Sequence, residues 1–278
     1  MKACIKIIDL YPAELGTDAS SNIRHRNFWC HIISITACVD LGRAAADTAH
    51  QTIHYTSARS QINNCREYIE GHTQGLSKEQ LDKLSEALPS LAVLDFECAI
   101  RLQQVANICA ILEDCGTNLD PMQICVLADL VISSKLTDPV IYEAFRRITD
   151  TALSSKSPCD VLQQLRWLRC LYRLALQCEE NCVKFIADRA KKLIDMATLL
   201  APELPHTTVA ALRGEMQWLP IDMYNESLLY FKDMKNQLSQ EWYSEAIKLT
   251  KCIEHNGWDT DSLSTKMSEA YGTLNLAN

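Results

Sequence analysis

The segment SLAVLDFECAIRLQQVANICAILED, residues 90–114, decides the fold class. Apolar side chains return at Leu91, Leu94, Cys98, Leu102, Val105, Cys109 and Leu112, in steps of three and four. At 3.6 residues per turn these positions form one stripe along a helix, and such a stripe must be covered by another element. Asp95, Arg101, Gln104 and Glu113 fall off the stripe. The acidic pairs Asp95 with Glu97 and Glu113 with Asp114 are therefore expected on the solvent side. Gly116 follows as a stop, because glycine enters the left-handed conformation without steric cost.

The same period runs through the rest of the chain. It predicts helices over 27–46, 51–70, 179–201, 207–232, 239–255 and 262–274, with Ile186, Ala190, Leu193 and Ala197 as an inner face. Ser77-Lys78-Glu79-Gln80 reads as a capping box, with Leu76 and Leu81 placed to form its hydrophobic staple. Asp120-Pro121, Asp138-Pro139 and Ser157-Pro158 each put a capping side chain before a proline at the first helical position. Those prolines recur nearly evenly, so two helices with their loops form a hairpin of about 37 residues, close to helical-repeat periods. Only 8 glycines and 8 prolines punctuate 278 residues, and alternation of period two never persists. The expected fold is all-α: helical hairpins stacked as a tetratricopeptide-like α-solenoid, a single repeat domain over 1–278 with 1–20 poorly defined. The alternative is a compact helical bundle. The short apolar segment 3–11 (Cys4, Ile5, Ile7, Ile8, Leu10) offers no polar outer face to cap such an array.

A net charge of −8 argues against general nucleic-acid binding, which needs a positive surface. The thirteen cysteines lie singly among apolar neighbours, without a CxxC pair, and Met1-Lys2 opens no secretory signal. They read as small buried hydrophobes in a reducing compartment. The longest apolar run, 124–132, falls far short of the roughly 20 residues that span a bilayer.

Residues that bear chemistry are sparse. His50 and His54 stand one turn apart, but Gln51 occupies the place where a zinc-protease helix carries its glutamate. Cys178 and Cys182 have the same spacing and no complementary pair nearby. No P-loop, GxGxxG, GxSxG or aspartate-rich cluster occurs, so no catalytic residue, cofactor site or metal site is assigned. Arg166, Arg169 and Arg173, at steps of three and four with Trp167 and Tyr172 beside them, form a basic stripe. It is either a solvated face or a docking surface for an acidic partner segment.

In the C-terminal part, 206–278, Glu215-Met216-Gln217-Trp218-Leu219 is followed by Tyr224-Asn225, then Trp242 with Ala246 and Leu249, then Ala270-Tyr271. This pattern over 214–274 resembles the C-terminal region of the fungal meiotic scaffold family of the Spo-twenty-two/Zip-four type. There an acidic residue, two others and Trp-Leu precede an asparagine, and a tryptophan–alanine helix follows. Pro220 departs from the family pattern, because a proline after Trp-Leu would bend the helix. The resemblance implies a C-terminal portion of a longer protein. It would act in the nucleus on chromosomes, in meiosis and sporulation, joining chromosome-axis, synapsis and crossover factors during synaptonemal-complex assembly and meiotic recombination. Read without it, Glu215, Trp218, Leu219, Asn225, Trp242 and Ala246 form a structural cluster, with Trp218 and Trp242 in one inter-helix pocket and Asn225 buried. The expected function is a non-enzymatic scaffold with protein partners and no direct nucleic-acid or membrane binding. Its alternatives are a tetratricopeptide-like adaptor of another intracellular pathway and an all-α enzyme.

Overall fold

The structure, a computed structural model, describes residues 17–72, 77–115, 119–155, 159–178 and 182–276. Among these it is all-helical, without strand. Segment 3–11, Leu76, Gly116 and Ser157-Pro158 lie outside them. Where the sequence offered no internal boundary, the backbone divides into two compact units, Met1–Ser157 and Pro158–Asn278. The first holds α1 (Thr17–Ala44), α2 (Thr48–His72), α3 (Lys78–Arg101), α4 (Val105–Cys115), α5 (Pro121–Ile132) and α6 (Asp138–Ser154). The second holds α7 (Val161–Gln177), α8 (Val183–Leu200), α9 (His206–Lys232), α10 (Asn236–His255) and α11 (Leu263–Leu276).

Within each unit most helices lie against their successors, α4 and α5 being the exception, and several alternate helices lie side by side: α1 on α3, α3 on α5 and α4 on α6, then α7 on α9 and α8 on α10. The stripes make this necessary, since one hairpin cannot bury its own apolar faces. In the first unit, Phe28 and Ile35 of α1, Ile62 and Cys65 of α2 and Leu91 of α3 share one core. Beside it, Val39 and Cys98 pack with Tyr55 and Ala58. Gly42 lets α1 approach there, because a Cβ at this position would sit 3.0 Å from the Tyr55 ring. Burial pushes the Cys65 and Cys115 thiols up to about 11 and Cys98 up to about 12. These thiols stay protonated, and behave as small apolar side chains. In the second unit Ile186, Ala190, Leu193 and Ala197 are buried, as their spacing predicts.

The deciding segment itself departs from expectation twice. Residues 90–114 are not one helix: α3 begins before them, runs through Pro89 and ends at Arg101, and α4 starts at Val105. Gln103 takes a left-handed φ of 54°. The Gln104 amide bonds back to the Ala99 carbonyl at 2.9 Å and the Gln103 amide to Ile100 at 3.0 Å, the double bond pattern that closes a helix. Glycine normally occupies that position, so a glutamine gave no signal. The same closure, with Met234 at φ 62°, ends α9.

The second departure is Asp95 and Glu97, which are 0% and 2% exposed instead of facing solvent. Asp95 receives Arg59 at 2.9 Å and Arg66 at 2.8 Å, both from α2. Glu97 receives Arg43 of α1 through two nitrogens, at 2.8 and 2.5 Å, with the Tyr55 hydroxyl at 3.5 Å. One expected helix start holds and two differ. Asp120 caps α5 in a reciprocal pair with Gln123. Thr137 rather than Asp138 stands at the N-cap of α6, without a side-chain cap bond, and Asp160 accepts the Leu162 amide to cap α7. The near-even proline spacing is therefore not the spacing of the helices.

Asp95→Asn keeps the shape but leaves Arg59 and Arg66 facing a neutral amide in the interior. Breaking a buried pair in this way costs about 3–5 kcal/mol. A marked fall in melting temperature is expected, and an unchanged melt would show that Asp95 is not buried between the two arginines.

Candidate functional site

The arginine stripe of α7 and the tryptophan motif of α9, far apart in sequence, lie against each other. The two helices carry matching ladders. Arg166, Arg169 and Arg173 climb α7 in steps of three and four, and Glu215, Trp218 and Asp222 climb α9 in the same steps. Arg166 lies 3.8 Å and Arg169 3.5 Å from the Glu215 carboxylate, and Arg173 donates to Asp222 at 3.0 Å. The guanidinium of Arg169 lies 4.2 Å from the Trp218 ring centroid and that of Arg173 5.1 Å from it. An indole face attracts a guanidinium through its quadrupole while leaving the donor edges free for other acceptors. The three side chains keep 46–54% of their surface exposed.

Beneath the ladder stands Tyr172, fully buried, with Trp218 edge-on at 5.8 Å and Trp242 of α10 at 5.9 Å. Tyr230 continues the row at 5.7 Å from Trp242. The sequence reading placed Trp218 and Trp242 in one pocket. In the structure each touches Tyr172, Trp242 being buried and Trp218 half-buried. Leu219 and Ala246 are buried in the same interior, and α9 runs on through Pro220. Asn225 is exposed, so the expected buried asparagine is corrected: seven residues return it to within about 20° of Trp218, and Trp218 is itself only half-buried, so this side of the helix lies at the margin of the packed face.

Electrostatics here are uneven. The Tyr172 hydroxyl and one Asp222 oxygen are buried without a hydrogen-bond partner. Burial, then the charges of Asp222 and Glu226, push the Tyr172 phenol well above its usual range. Burial and the neighbouring Asp222 also raise the Glu226 carboxyl, against the pull of Arg173. A carboxyl raised in the folded state binds more protons there than in the unfolded chain. Its contribution to stability is therefore present at acid pH and lost as the pH rises through its folded value.

Elsewhere the sequence candidates disperse. Asp47 holds His50, accepting its backbone amide at 2.8 Å and contacting its ring at 2.5 Å, at the start of α2. Cys178 ends α7 and Cys182 stands before the first residue of α8. Among the described residues no three His, Cys, Asp or Glu side chains gather as a metal would need, and no helix is long and apolar enough to cross a membrane. Sequence reasoning missed Asp222. Its signal was available as the acidic step that matches Arg173, seven residues past Glu215 as Arg173 is past Arg166.

Trp242→Ala should lower stability by about 3–5 kcal/mol, the cost of a large buried ring and its cavity. Trp218→Ala should cost less, being half-buried, and the double variant should fall short of additivity because both rings pack on Tyr172. Thermal melts of the three variants check this; strict additivity would mean that Tyr172 does not couple them.

No family model matches the chain, and neither does any curated protein or solved structure, so the paired ladders carry the functional reading on their own geometry.

Proposed function

We propose that this chain is a non-enzymatic helical-repeat scaffold, its hairpins stacked in the manner of an α-solenoid, and that the ladder on α7 docks an acidic segment of a partner protein. The side-by-side packing of alternate helices within each unit supports the stacked-hairpin reading. The observation that carries the docking surface is the state of the three arginines. Each is anchored by Glu215, Trp218 or Asp222 and still half-exposed. A free arginine loses side-chain entropy when it binds, whereas one already held by a stacked ring and an in-chain carboxylate has lost part of it beforehand. The guanidinium groups use Glu215 and Asp222 with only part of their donor edges, Glu226 lying near Arg173 as well, and the exposed edges stay open to a partner's acids.

The resemblance of 214–274 gives this scaffold a setting: meiosis, on nuclear chromosomes, where it would join axis, synapsis and crossover factors. Adaptor work in another intracellular pathway is the second reading, since the docking geometry alone does not depend on the pathway.

Charge reversal is a poor test here, because glutamates would face Glu215 and Asp222 and loosen the helix pair. Replacing Arg166, Arg169 and Arg173 by glutamine removes the guanidinium groups and their charge while keeping polar side chains that favour helix and do not repel Glu215 and Asp222. On the proposal, the wild-type chain recovers synapsis or crossover proteins from meiotic cells in a salt-sensitive complex, and the triple variant loses them while remaining folded. Equal recovery by the variant would remove the ladder as the docking surface. Abundant expression in vegetative cells would remove the meiotic setting.

A further inference from the structure

A second surface, in the first unit, has the opposite character. A groove of about 880 Å³ opens between α3, α4 and the start of α5. Its floor is apolar: Leu88, Pro89 and Leu91 from α3, Ile111 and Cys115 from α4, and Leu119. Leu91, Ile111, Cys115 and Leu119 are buried, whereas Leu88, 38% exposed, stands open at the surface. The rim is acidic on both sides, with Asp82 and Glu86 one turn apart on α3 facing Asp114 and Asp120 across the groove. Asp82, Glu86, Asp114 and Asp120 are all exposed, and no ion pair engages any of them among the described residues. Asp120 is turned to its own helix as the cap. The one cation among the lining residues, Arg66, is committed to the buried Asp95 at 2.8 Å.

We infer that this groove docks a basic amphipathic helical segment of a partner protein. An amphipathic helix laid in such a groove puts its apolar row on the floor and its flanking lysines or arginines against the two walls. Phosphate-rich surfaces, whether nucleic acid or anionic lipid, meet only like charge here. The inference deepens the scaffold reading by naming a second partner class, of opposite charge to the first, on a different unit of the chain.

The probe is a synthetic leucine–lysine peptide with its leucines on one helical face, titrated with the full chain by fluorescence anisotropy. Saturable, salt-sensitive binding is expected. The variant Asp82→Asn, Glu86→Gln, Asp114→Asn should weaken it about tenfold, three exposed ion pairs amounting together to roughly one decade. A control with the same net charge, Asp188→Asn, Asp233→Asn, Glu269→Gln, should bind like wild type; all six side chains are exposed, so both variants should melt normally. Equal weakening in the control would reduce the effect to general attraction by an acidic protein and overturn the inference. So would the absence of saturable binding, equal binding of a leucine–glutamate peptide, or salt-sensitive self-association that occupies the groove with a second copy. None of these outcomes touches the arginine ladder, so failure here and failure of the scaffold's acidic-partner site are separate results.

Discussion

One buried ring fixes the geometry of the arginine face on the second unit. Tyr172 leaves α7 at the level where Trp218 of α9 and Trp242 of α10 arrive, and it touches both. Aromatic pairs of this kind contribute about 0.5–1.5 kcal/mol beyond the area they bury. Set against them is a phenolic hydroxyl with no partner, whose burial costs about 1–3 kcal/mol. The ring therefore serves position more than stability. It sets the height of Trp218, Trp218 sets the plane on which Arg169 and Arg173 lie, and the carboxylates of Glu215 and Asp222 close the ladder at both ends. Removing the ring would take away the support beneath Trp218 and leave the arginines held chiefly by Glu215 and Asp222.

The first unit solves the same problem, joining three helices, with charge in place of aromatic rings. Asp95 and Glu97 stand two residues apart on α3 and reach α2 and α1 through Arg59, Arg66 and Arg43. A buried carboxylate is tolerated only when paired, so each arginine is tied to a definite partner and the register of α1 and α2 against α3 is specified. That commitment also shapes the acid-walled groove. With Arg66 turned inward to Asp95, no lining cation neutralises Asp82, Glu86 or Asp114. The two units thus offer surfaces of opposite charge, each left unbalanced by how the adjacent core is paired.

Period alone made the helices legible, and the inner face of α8 emerged where Ile186, Ala190, Leu193 and Ala197 placed it. What period cannot carry is long-range pairing. Asp95 and Glu97 looked solvent-facing because a stripe is drawn from apolar residues. Their burial depends on arginines 36 and 54 positions away. The break at Gln103 escaped because a non-glycine sits in a conformation that usually announces itself with glycine. The site was half visible: both stripes could be read separately, and only folding brought α7 against α9. Asn225 misled because its seven-residue step puts it on the side of Trp218, and that side is only half-buried.

The central claim is that the arginines of α7 are held in place before any partner arrives. Side-chain NMR of arginine tests it most directly. On this account Arg169 and Arg173 show restricted Nε–H groups and side-chain protons shifted upfield by the Trp218 ring, and both signatures vanish in Trp218→Leu while Arg166 keeps its contact with Glu215. Random-coil shifts and free internal motion for Arg169 and Arg173 in the wild-type chain would contradict it.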